Sequence, residues 1–266
     1  MKKTSPTLGN YGYWFISRLT LGLFILLSLA EVVFEVFSLG FASRLIKCVL
    51  VPLLMINALS LIVRDGGDRN AALAVSGAMI LHTAGDFLLE LSEGFFMWGL
   101  VAFLAGNVIF LAYFIRCVGK QHFPGNMVWI IAGVIAVLVS LWIAPGNEMI
   151  LPVALYSLSL LCYLSVGTAG LFEYFKSLSK GEETCALRKP AFILILFGGL
   201  LFILSDSLLA LSVFKGVHVR FGGALIMATY LGAEFLLSRG AWKLSLCPEV
   251  PPEDYGEEKD GENFDE

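Results

Sequence analysis

Eight stretches of this chain, residues 13–30, 44–63, 71–91, 95–115, 127–144, 149–170, 191–214 and 221–237, are almost wholly apolar. Each is near the roughly 20 residues that carry an α-helix across the hydrocarbon core of a bilayer. The breaks between them hold the residues that stop helices: Arg64-Asp65-Gly66-Gly67-Asp68-Arg69, Pro124-Gly125-Asn126, Pro145-Gly146-Asn147, and a polar stretch over 177–190. The pattern predicts an all-α polytopic membrane protein, a bundle of eight transmembrane helices filling residues 1–247. Residues 248–266, with Pro251-Pro252 followed by a run of Glu and Asp, have too little apolar surface to fold and read as an acidic disordered tail. Lys2 and Lys3 ahead of an apolar run imitate a secretory signal. That run is longer than the roughly 7–15 residues of a signal core, and Tyr13 and Trp14 suit an interfacial anchor, so the first helix is expected to stay; cleavage would leave seven.

Composition sharpens this picture. The 266 residues are 58% hydrophobic and 15% charged with a mean hydropathy of +0.81, which excludes a soluble globule. Eighteen basic against 22 acidic residues give a net charge of −4, and the acids gather in the tail, so no basic face exists for nucleic acid. Cys48, Cys117, Cys162, Cys185 and Cys247 are scattered without a CxxC, and His82, His122 and His218 are single residues, so no metal-ligand spacing is present. In the connections thirteen Lys and Arg, from Lys2 to Lys259, fall on one side against Arg44, Lys215 and Arg220 on the other, which predicts both termini in the cytoplasm.

An ionisable side chain in hydrocarbon costs about 2.5–3.5 kcal/mol at a helix centre, so it faces the protein interior or water and marks function by default. Asp86 in the third helix and Asp206 in the seventh are the candidates. Both helices run outward, placing both acids roughly 8–12 Å from the outer end at 1.5 Å per residue. A weak repeat relates them: Asp86-x-Leu-Leu-x-Leu-Ser recurs at Asp206. His82, Asp86 and Glu90 share one helical stripe, which must face inward. Gly85 and Ser205, directly before the acids, are small and permit close helix approach. Lys47, near the outer end of helix two, either holds a carboxylate ionised, meets a lipid phosphate, or snorkels to the interface. Tyr156 reaches the same level. Asn107 is interhelical glue or a substrate contact, and Tyr230 packs or lines a cavity. Glu90 and Glu93 read as solvated, Glu31 and Glu35 as a wet helix end beyond helix one, and Glu234 as structural and remote from the acids.

At these residues the chain resembles the YhhN-like lysoplasmalogenase family, multi-helix membrane hydrolases of alkenyl-lysophospholipids. The resemblance covers about 45–237. It is carried by Gly85-Asp86-Phe87-Leu88-Leu89, the Phe-x-x-x-Gly-Leu-x-x-Phe-Leu spacing from Phe95, Leu151-Pro152-Val153-Ala154-Leu155-Tyr156, Ser205-Asp206-x-x-Leu209-Ala210 and Ala228-Thr229-Tyr230-Leu231-Gly232-Ala233-Glu234. It implies eight helices, a catalytic pair at Asp86 and Asp206, and a match of Lys47 to a lysine in the family's second helix. Two positions depart from the pattern: Asn107 stands where a histidine is expected and Glu234 where a glutamine is. The implied substrate is a lysophospholipid drawn from the surrounding bilayer, in a bacterial inner membrane or an endoplasmic reticulum, and the implied chemistry needs no cofactor or metal. Paired carboxylates suit it, one neutral to protonate a vinyl ether carbon and one ionised to steady the cation and orient water. Asp206 is taken as the acid. Two rival readings remain at this stage, a transporter binding protons or cations at the same acids, and an intramembrane aspartyl protease, against which the absence of Gly-x-Gly-Asp argues.

Overall fold

The computed structural model describes residues 8–37, 40–118, 127–144 and 146–248. Among them are eight α-helices, a single 3₁₀ turn and no strand. The helices are α1 (Leu8–Val36), α2 (Gly40–Asp65), α3 (Arg69–Leu91), α4 (Phe96–Val118), α5 (Met127–Ile143), α6 (Asn147–Ser179), α7 (Arg188–Lys215) and α8 (Gly222–Ser245). Each apolar stretch thus lies on one helix. The tail from residue 249, and the expectation of disorder there, fall outside the described residues, as do Lys2, Lys3, Lys120, Lys259 and His122.

Six helices, α1 to α4, α6 and α7, are long and apolar enough to cross a bilayer, and the chain is read as a multi-pass membrane protein. Their outward positions are what hydrocarbon requires: Phe15, Leu26 and Leu29 on α1 and Phe197 and Leu204 on α7 are exposed. Helix α5 is shorter. Helix α8 is less apolar because it carries Glu234, Arg239 and Lys243. It can afford them because it packs against α1, α2, α3 and α7, and a helix enclosed by protein exchanges lipid for polar partners. Arg239 donates to the Asn57 side-chain oxygen at 2.6 Å, and the Asn57 amide in turn donates to Thr20 at 3.1 Å, tying α8 through α2 to α1.

Chain breaks are set by local chemistry. Asp68 caps α3, accepting from the backbone N–H of Asn70 and Ala71, and receives a hydrogen bond from the Tyr113 hydroxyl at 3.2 Å. Gly216 takes a left-handed φ of 63° to end α7. One boundary differs from the sequence expectation. Helix α6 runs on to Ser179, into the stretch expected to be a connection, because that stretch contains no Gly or Pro before Gly181. Cys185, between α6 and α7, forms a disulfide with Cys247 after α8.

Candidate functional site

A cavity of about 590 Å³ opens inside the bundle, with walls from every helix except α1. Its polar groups come from Lys47, Asp86, Glu90, Tyr156, Asp206 and Tyr230 and from four serines, Ser140, Ser157, Ser205 and Ser207. The rest is apolar: Leu100 and Phe103 of α4, Ile135 and Val139 of α5, Leu160 of α6, and Leu209 and Val213 of α7. A largely apolar pocket with a few convergent polar groups is the usual form of a small-molecule site.

The two acids reach this cavity from different helices, and each has its own phenol. The Tyr230 hydroxyl on α8 donates to Asp86 Oδ2 at 2.8 Å. The Tyr156 hydroxyl on α6 donates to Asp206 Oδ2. A phenol donor fixes one carboxylate oxygen and leaves the other for substrate or water. Ser205, beside Asp206, donates to the Ile226 carbonyl at 3.1 Å and so fastens α7 to α8 at the level of the acid. Gly85, before Asp86, is a close approach of α4 to α3: a Cβ there would lie 2.6 Å from the Phe103 ring. Gly85→Ala is therefore expected to cost about 1–3 kcal/mol through overpacking, read as a lower unfolding temperature in detergent.

Lys47 lies at the polar end of the cavity and does not simply snorkel. It is held by three carboxylates, Glu35 at 2.9 Å, Glu90 at 3.2 Å and Glu31 at 4.0 Å. Three acids read from sequence as wet are therefore corrected. Glu31 and Glu35 lie inside α1, which continues six residues past Ala30 to Val36, and Glu31 is fully buried, accepting from the Ser43 hydroxyl at 2.7 Å. Glu35 fills the space that a Cβ on Gly223 would need. Glu90 lines the cavity one turn from Asp86.

His82 and Asn107 stand behind the cavity wall rather than in it. Asn107 is fully buried, accepting from the Tyr163 hydroxyl at 2.9 Å and donating to Ser159 at 3.3 Å, so it links α4 to α6. His82 is enclosed by the rings of Phe103, Phe110 and Phe202. Its Nδ1 lies 2.6 Å from Glu234 Oε1, both residues being fully buried. Glu234 is therefore not remote from the acids: it is one turn along α8 from Tyr230, the partner of Asp86. Sequence reasoning also passed over Ser140 and Ser157, which line the cavity and are hydrogen-bonded across α5 and α6 at 3.2 Å. A serine inside an apolar run gives no signal that separates a wall position from a packing position.

The model of the YhhN family matches residues 42–241, from the start of α2 to the last turns of α8. Searches of curated proteins and of solved structures found no match.

Proposed function

The chain belongs to the YhhN family, and from that membership we propose that it hydrolyses the vinyl ether bond of lysoplasmalogens, releasing a fatty aldehyde and a glycerophospho-alcohol. In this reading all eight helices cross the bilayer with both termini cytoplasmic. The supporting observation is that Asp86 and Asp206 line one apolar cavity, each oriented by its own tyrosine.

A 1-alkenyl lysolipid presents, in order, headgroup, glycerol, ether oxygen, the α and β vinyl carbons, and tail. With the headgroup at Lys47 and Glu90 and the tail along Leu209, Val213 and α5, Asp86 is the acid nearer the head, since Glu90 is one turn away on the same helix. Asp206 lies on the helix that carries the tail-side residues. A proton passes from Asp206 to the β-carbon, and the π electrons form that C–H bond, leaving an oxocarbenium ion across the α-carbon and the ether oxygen. Asp86 steadies the cation, takes a proton from water, and the water oxygen bonds to the α-carbon. The hemiacetal then collapses: its hydroxyl proton passes to Asp206, the C–O bond to glycerol breaks as the carbonyl forms, and Asp86 gives its proton to the departing alcohol oxygen. One water is consumed and both acids return to their starting states.

Because hydrogen bonds to charged groups are worth about 1.5–3 kcal/mol, Tyr156→Phe is expected to lower kcat roughly 10–100-fold with KM little changed, measured as initial rates of aldehyde release. The test of the reading itself is aldehyde release by the purified protein from a 1-alkenyl lysolipid. Proton or cation flux in vesicles, with no aldehyde formed, would replace the hydrolase by a transporter.

A further inference from the structure

The pair formed by His82 and Glu234 is used by no step of that reaction, yet it is fully buried and charged or polar on both sides. His82 precedes Asp86 by four residues on α3, and Glu234 follows Tyr230 by four residues on α8. Residues four apart lie on one helix face. Helices α3 and α8 are therefore joined by two rungs one turn apart: Tyr230 to Asp86 at the cavity, and Glu234 to His82 behind it. The rungs share walls. Phe103 packs on the His82 ring with centroids 5.4 Å apart and on the Tyr230 ring at 5.9 Å. Phe202 does the same at 5.9 and 5.8 Å. Gly106 clears the space for the imidazole, since a Cβ there would overlap it.

We infer that His82 and Glu234 are positioning residues for the proposed hydrolysis, a buried second rung that sets the rotation of α8 against α3 and so keeps the Tyr230 phenol on Asp86. This rests on the hydrolase reading. The approach of His82 Nδ1 to Glu234 Oε1 at 2.6 Å is the one close polar contact between the two side chains. None of the four polar atoms, His82 Nδ1 and Nε2 and Glu234 Oε1 and Oε2, has an aligned hydrogen-bond partner, so the pair draws its orientation from the close approach of Nδ1 to Oε1 and from the rings around it. Leaving one partner buried alone is far costlier than replacing both with apolar groups of similar shape. Phe suits position 82, among three phenylalanine rings, and Leu suits position 234.

The experiment is a double-mutant cycle on the full-length protein. The combined variant H82F/E234L is expected to unfold within a few degrees of wild type, to lose about tenfold in kcat, and to keep its KM. Adding Tyr230→Phe to it should then cost less than about twofold, because the phenol is already displaced, whereas adding Tyr156→Phe should cost its full effect. Glu234→Gln, which keeps the size and polarity of the side chain against His82, should stay within about threefold of wild type. The inference is overturned by a wild-type kcat in H82F/E234L, by full additivity with Tyr230→Phe, or by a loss in Glu234→Gln equal to that of H82F/E234L. A wild-type protein that releases no aldehyde counts against the hydrolase reading alone. The rung is then judged by the same cycle scored as unfolding temperature, where additive changes overturn it.

Discussion

Asp206→Asn is expected to lower the rate of aldehyde release from a 1-alkenyl lysolipid by about 10²–10⁴-fold, the range that a positioned acid or base contributes. Asn keeps the shape and can still accept from the Tyr156 hydroxyl, so the cavity persists while the transferable proton is gone. Asp86→Asn is expected to fall in the same range for a different reason: an amide neither takes a proton from water nor steadies a cation. The two losses should not multiply in the double variant, because acid and base serve one sequence of bond changes. Unchanged turnover in either single variant, with the protein folded, would remove that residue from the mechanism.

The second large effect concerns the substrate. A 1-alkyl lysolipid has the same headgroup, glycerol and tail but no π bond, so protonation at carbon is closed to it. A 1-acyl lysolipid offers a carbonyl, and the cavity has no assigned nucleophile directed at one. Turnover of both is expected at least about 10⁴-fold below that of the 1-alkenyl lipid, while both bind with similar affinity because the apolar walls contact the same tail. The comparison reads as alkyl and acyl lipids inhibiting competitively without being consumed. Efficient acyl cleavage would point to an esterase in the same cavity.

Much of the fold was legible because each hydrophobic stretch declares itself locally. Residues 71–91 and 191–214 became α3 and α7 with end points shifted by at most three residues. Asp86 and Asp206 stood out for the same reason: an acid in an apolar run is conspicuous whatever surrounds it. What stayed hidden was partnership. Tyr230 meets Asp86 across 144 residues and Arg239 meets Asn57 across 182, and no spacing rule reaches that far. Glu31, Glu35 and Glu90 were misread because a carboxylate near an apparent helix end looks solvated until the side chains that cover it are known, and Glu234 was placed away from the acids because its nearness to His82 spans two distant helices. Helix α8 shows the converse. Its polar residues weaken its hydropathy, and only its enclosure by four other helices explains why it carries them. The Cys185–Cys247 bond had no sequence signal either, since its ends lie 62 residues apart in segments that meet only once α6, α7 and α8 have packed.

The most direct measurement is a turnover of the wild-type protein on a 1-alkenyl lysolipid in heavy water, with the aldehyde trapped as it forms and read by mass spectrometry. Transfer of a proton to the β-carbon predicts a single solvent deuterium on the carbon next to the carbonyl, and loss of the labelled product in Asp206→Asn. Aldehyde formed without that deuterium, or no aldehyde at all, would contradict the account.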